Sequence, residues 1–399
     1  MNSGAKRLGL IVNPVAGLGG RVGLKGSDGL RVQKQALALG AIPRAMDRAA
    51  EALAQLRRVD DLEIVTWSGR MGEDAVRACD LSPVVVGSAG PDLIAAAGNS
   101  ADNSVTHDGN TEGTMVHDST ADDTRAAAGR MRDLGVDLLL FAGGDGTARD
   151  ICLTIGEDLP ALGIPAGVKI HSAVYARNPL NAGELAALFL EGRVSALRAA
   201  EVMDIDEEAA RDGRISAQLH GYLRIPSRTS LVQSLKAPSG PGEEASMDAI
   251  AAAITESMEP DTLYLMGPGT TIRAILARLG LRKTLIGVDA VENGKLVAED
   301  LNETRILSLI EGRQAKVVVT PIGGQGCIFG RGNQQLSPEV LARVGRNDII
   351  VVATPAKTSS LGDGSLWVDT GDREVDAMLA GHLRVVTGYK EEAVCRVSS

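Results

Sequence analysis

A carboxylate set among glycines, Gly143-Gly144-Asp145-Gly146-Thr147, follows the apolar run Leu138-Leu139-Leu140-Phe141-Ala142. The run reads as a buried strand and Ala148 to Ile155 as a helix, so the loop sits where a strand hands over to a helix. Glycine lets phosphate oxygens reach backbone amides, and the helix N-terminus adds partial positive charge. Phosphate alone would repel Asp145. The carboxylate makes sense as a base for a substrate hydroxyl, or as a partner for a magnesium ion bridging phosphates, and both roles point to phosphoryl transfer.

Three other segments carry residues suited to the same ligand. Pro165-Ala166-Gly167-Val168-Lys169-Ile170-His171-Ser172 comes one strand after the loop, which brings Lys169 within reach of phosphate; His171 reads more readily as a structural histidine. Gly267-Pro268-Gly269-Thr270-Thr271 repeats the strand, glycine loop, helix arrangement, and its hydroxyls fit either a second anion site or a helix cap. Thr320 to Gln335 contains Gly323, Gly324 and Gly326, then Arg331 for bidentate phosphate recognition and Asn333 for a nucleobase or amide edge. Asn302-Glu303 opens a helix and reads as a cap followed by a first-turn acid.

These loops need sheets to hold them. Leu8 to Val12, Asp61 to Trp67, Val84 to Val86 and Val136 to Phe141 read as strands, with helices at Arg44 to Arg58 and Asp122 to Leu134. That alternation predicts a parallel sheet. Residues 87–123 break it with a stretch free of Lys and Arg, read as an exposed acidic insert without chemistry, despite His107 and His117. Short alternating runs from Ala199 to Pro226 predict a β-rich connection. Beyond it an α/β rhythm returns, with strands at Thr262 to Met266, Leu285 to Val288, Val317 to Thr320, Ile349 to Ala353 and Leu383 to Val386, which predicts a second parallel-type sheet. The expected architecture is a two-domain α/β protein, 1–198 and 199–399.

Composition agrees with two cores. The 399 residues are 44% apolar but only 2% aromatic, so Ala, Val, Leu and Ile must supply the packing. A formal net charge of −10 opposes non-specific binding to nucleic acid. The four cysteines lie far apart, without metal-ligand spacing, and the apolar run at Leu8 is too short for a signal segment or a membrane span. A cytoplasmic protein with buried thiols is expected. Its partners would be small nucleotides, not nucleic acid or membrane, with homo-oligomerisation left open.

The Gly-Gly-Asp-Gly-Thr loop after an apolar strand resembles the signature of the NAD kinase, diacylglycerol kinase and sphingosine kinase superfamily. Further blocks, Asn13 to Gly20, Phe141 to Asp150, Gly163 to Lys169, Gly267 to Thr271 and Thr320 to Gln335, are similar to the ATP-NAD kinase-like branch that includes the acetoin-catabolism protein X. The resemblance implies Asp145 as the catalytic carboxylate and Gly143, Gly144, Gly146 and Thr147 as phosphate contacts, with Asn13 and Gly17 lining the same cleft. It implies ATP with Mg2+ as donor and NAD as the acceptor. The C-terminal half lacks the Thr-Pro-Thr-Gly-Ser-Thr loop of well-characterised NAD kinases and reads as α/β where theirs is β-rich. A kinase for another metabolite and a non-catalytic nucleotide sensor are the alternatives.

Overall fold

The structure is a computed structural model that describes residues 5–24, 30–90, 119–168, 170–205, 217–228, 231–233, 243–284, 286–361 and 364–399. β1 (Lys6–Val12) buries its last five residues because it lies in the middle of a sheet, parallel to β2 (Leu62–Thr66) on one side and β4 (Leu138–Gly143) on the other. With β3 (Pro83–Val85) and β5 (Ala161–Pro165) the order is β3-β2-β1-β4-β5, all parallel. The chain leaves β1 toward β2 and returns on the far side at β4. The loops after β1 and β4 therefore part company, and a crevice opens at their carboxyl ends.

Helices α1 (Leu30–Ala38), α2 (Ala45–Leu53), α3 (Glu73–Ala78), α4 (Ala121–Asp133), α5 (Asp145–Ile155) and α6 (Pro179–Leu190) belong to this half. α2 shows how a chain poor in aromatics packs: Ala45, Ala49, Ala52 and Leu53 fall on one face and are fully buried. The region expected as one helix from Arg44 to Arg58 is α2 followed by a 3-10 turn over Ala54–Arg58. α5 starts at Asp145, three residues before the expected Ala148, so Asp145 stands on the first turn of the helix. Most of the acidic insert, with His107 and His117, lies outside the described residues. Its flanks meet, with the Gly90 amide donating to Asp123 Oδ1 at 3.2 Å.

The β-rich connection is an antiparallel hairpin, β6 (Leu197–Ile205) and β7 (Ala217–Pro226). Its Ala200, Val202, Leu223 and Ile225 pack into the N-terminal core. The second half is built on a nine-stranded sheet of β8 (Leu263–Met266), β9 (Val288–Glu292), β10 (Lys295–Leu301), β11 (Ala315–Val319), β12 (Cys327–Phe329), β13 (Ile349–Val352), β14 (Ser365–Val368), β15 (Gly381–Gly388) and β16 (Glu391–Ser398). β8, β11, β13 and β15 form its parallel middle. Side chains alternate between faces: Leu263, Leu265, Val317 and Val319 join one core, Tyr264, Met266 and Val318 the other. Helices α7 (Glu243–Glu256), α8 (Thr270–Arg278), α9 (Glu303–Ile310), α10 (Pro338–Val344), α11 (Pro355–Ser359) and α12 (Arg373–Leu379) complete it.

This sheet is mixed, where a parallel one was expected. The strand read at Leu285 to Val288 comes later, as β9, and turns back at once into β10 through Asn293 and Gly294, both with positive φ (51° and 69°). Asn-Gly is a hairpin turn, and a hairpin forces antiparallel pairing. β15 and β16 make a second one. All four cysteines are buried free thiols, and among the described residues no helix is long and apolar enough to cross a membrane.

Candidate active site

Asp145 sits at the carboxyl end of β4, on the first turn of α5, and only 7% of its surface is exposed. Its Oδ2 accepts from the backbone amide of His171 at 2.7 Å and lies 3.2 Å from His171 Nδ1. Its Oδ1 accepts from the Ser172 amide at 3.1 Å and lies 2.6 Å from the Ser172 hydroxyl, which also accepts from the Met203 amide. A buried carboxylate is costly unless donors replace its water, and the segment after β5 supplies them. With both oxygens so engaged, Asp145 does not fit as a magnesium ligand. No group of three or more His, Cys, Asp or Glu that could hold a metal ion occurs among the described residues.

The glycines around Asp145 shape the backbone. The Gly143 carbonyl accepts from the amides of Ala166 and Gly167, both at 3.0 Å, and a side chain at Gly143 would run into Thr147. Tyr175 donates its hydroxyl to the Gly144 carbonyl at 2.5 Å; burial pushes its phenol well above the usual range, with Asp145 and Asp204 adding to the effect. The first helical bond of α5 runs from the Ala148 amide to the Gly144 carbonyl, and no side chain caps the helix. The amides of Asp145, Gly146 and Thr147 thus have no helical acceptor, and an uncapped helix start of this kind binds anions. Asn13 closes the crevice from β1: its Nδ2 donates to Thr147 Oγ1 at 2.9 Å, while its Oδ1 accepts from the Val15 amide. Gly17, at φ 77°, lies so close to the Ala166 carbonyl that a Cβ would collide with it.

The C-terminal sheet carries glycine loops of its own. Gly267, Gly269, Thr270 and Thr271 follow β8 as expected, and Gly269 leads into α8 with no side-chain cap. The ammonium of Lys357, on α11, lies 3.0 Å from both the Thr271 and the Thr320 hydroxyls. Lys357 escaped the sequence reading, although a signal existed: Thr-Pro follows a strand twice, at Thr320-Pro321 and Thr354-Pro355. The loop with Gly323, Gly324 and Gly326 is tied at one end by the Gly324 amide to Ser360 Oγ. At the other, Gln325 Nε2 donates to the Ile170 carbonyl, beside His171.

Arg331 and Asn333 both bond to protein groups while each keeps one buried polar atom without a partner. Arg331, read as a phosphate ligand, is only 5% exposed; its two terminal nitrogens donate to Gln233 Oε1 and the carbonyl of Arg177, its Nε has no partner among the described residues, and burial lowers its pKa from the ordinary value. Asn333, read as a base-recognising amide, donates to the Ile328 carbonyl at 2.8 Å inside its own turn. Both belong to the glycine-rich segment that meets the N-terminal domain through Gln325 and Arg331. Lys169 lies outside the described residues. A cavity of about 130 Å³ remains between the domains, bordered by Gly17, Gly167, Gly330, Arg331, Gln334 and the Arg48–Asp369 pair.

Two family models divide the chain between them: the ATP-NAD kinase N-terminal domain matches residues 8–194 and the ATP-NAD kinase C-terminal domain residues 260–397. The chain belongs to the ATP-NAD kinase family. The family thus covers both sheets, including the C-terminal one whose mixed α/β build had set it apart in sequence. No curated protein matches the chain. Among solved structures, the crystal structure of RipA from Yersinia pestis aligns at 10% identity over 92% of this chain and 78% of that one, with a TM-score of 0.17. In ATP-NAD kinase terms the chain is a phosphotransferase that works on nucleotide-like ligands.

Proposed function

We propose that the chain transfers the γ-phosphoryl group of ATP, or of another nucleoside triphosphate or polyphosphate, to the adenosine ribose 2′-hydroxyl of NAD, giving NADP. The observation that carries this reading is the pairing, at one strand end, of three uncapped amides with the buried carboxylate of Asp145. The amides of Asp145, Gly146 and Thr147 would hold phosphate oxygens, and Asp145 would take part in withdrawing the acceptor proton. Mg2+ enters as the magnesium complex of the donor, as part of the substrate. Lys357 with Thr271 and Thr320 would neutralise phosphate charge from the facing domain. Catalysis on this account is positioning plus electrostatics.

The similarity to the acetoin-catabolism branch and the absence of the Thr-Pro-Thr-Gly-Ser-Thr loop favour a second reading, in which the same chemistry serves another small hydroxylated metabolite. A panel of acceptors incubated with γ-labelled ATP or polyphosphate separates the two. Label in NAD alone supports the first reading, label in another acceptor with NAD unlabelled supports the second, and label in none rejects both.

A further inference from the structure

We propose that His171 is the residue that takes the proton from the acceptor hydroxyl, and that Asp145 is the positioning carboxylate behind it. The inference rests on the phosphotransferase reading above and assigns its proton. Asp145 has two donors at one oxygen, the amide of His171 and its Nδ1, and at the other the amide of Ser172 and the Ser172 hydroxyl, whose single proton also has the Met203 carbonyl within 2.8 Å. A proton placed on that carboxylate would set a donor against the backbone amides of His171 or Ser172, which can only donate.

The imidazole has no such obstacle. Facing a carboxylate at 3.2 Å, Nδ1 carries the ring proton, which leaves Nε2 as the lone-pair nitrogen. Nε2 makes no hydrogen bond among the described residues, and it is not one of the polar atoms sealed from solvent without a partner. The ring is buried to 8% exposure, with its own backbone amide fixed on Asp145, so its direction is set from two sides. It also stands at the seam between domains, since the preceding carbonyl, that of Ile170, accepts from Gln325. The loop bearing Gln325 begins at Thr320, which Lys357 contacts.

Among the described residues, three other ionisable groups of this corner have partners elsewhere. Tyr175 donates to Gly144, Asp204 of β6 accepts from Arg149 at 2.6 Å, and Arg331 from the C-terminal domain donates to Gln233. In the reaction, the acceptor O–H gives its proton to Nε2 as its oxygen bonds to the γ-phosphorus. The bond from that phosphorus to the bridging oxygen breaks, and the nucleoside diphosphate leaves with the electron pair. The imidazolium, paired with Asp145, then releases its proton to solvent.

His171→Asn tests this, because its amide can still donate to Asp145 while nothing remains to take a proton. We expect kcat to fall about 10²- to 10⁴-fold, with substrate KM values and melting temperature near those of the wild type and the acid limb of kcat/KM against pH lost. In His171→Ala, added imidazole should restore part of the turnover. A folded His171→Asn with wild-type kcat and an unchanged acid limb overturns the assignment, as does a variant that loses only its folded fraction and keeps full turnover per folded molecule. A wild-type protein that phosphorylates no hydroxyl acceptor removes the phosphotransferase reading, and this proposal with it.

Discussion

Asparagine at position 145 keeps the shape of the side chain but turns one acceptor oxygen into an NH2 that must face the amides of His171 or Ser172. Two effects should then appear together. Turnover per folded molecule should fall about 10²- to 10⁴-fold, as for a lost acid-base group. Stability should fall by about 1–3 kcal/mol, the penalty for a buried donor left unmatched. Urea denaturation and turnover measured on one preparation check both, and wild-type turnover in the folded variant would remove Asp145 from the mechanism. The sequence already carried this residue: glycines on both sides of an acid after five apolar residues have few other uses. Its partners were not visible there. Ser172 is an ordinary serine in an ordinary stretch, and only the return of the chain after β5 brings it onto Asp145.

The segments from β4 to α5 and from β1 to Asn13 were legible because an apolar run that stops at glycine or Asn-Pro marks a strand end whatever surrounds it. The Thr320 to Gln335 segment was not. Its glycines and polar side chains suit a phosphate loop and a domain crossing equally well, and composition does not tell which way a guanidinium points. In the structure Arg331 points inward, which changes what its replacement should do. Arg331→Ala and Arg331→Lys should both destabilise the protein, since a lysine cannot reach Gln233 and the Arg177 carbonyl with one planar fork. The expected loss is about 1–3 kcal/mol for each, from carbonyls left unpaired. Thermal melting checks it, and a variant that melts like the wild type yet binds nucleotide more weakly would return Arg331 to the phosphate site.

The two domains are held by more than the crossing segment. Arg48 of α2 makes a bidentate, buried pair with Asp369, beyond β14, and its Nε donates to the Pro165 carbonyl at the head of the segment that positions His171 and Ser172. Arg48→Met or Asp369→Leu alone should cost about 3–5 kcal/mol by stranding a buried charge, whereas the double variant should recover much of that loss. Additive losses in urea denaturation would mean that the two do not act as a pair. At the opposite extreme, replacing 91–118 by a short Gly-Ser linker should leave stability and turnover nearly unchanged, because Gly90 and Asp123 already meet. Loss of folding or activity there would make the insert part of the working molecule. The two-domain cleft is read as acting on a phosphoryl group. The most direct measurement is mass spectrometry with fragmentation of the product formed from ATP, Mg2+ and NAD by the full chain. ADP is expected together with NAD carrying one added phosphoryl group on the adenosine ribose 2′-oxygen, and unchanged NAD would overturn the NAD kinase reading.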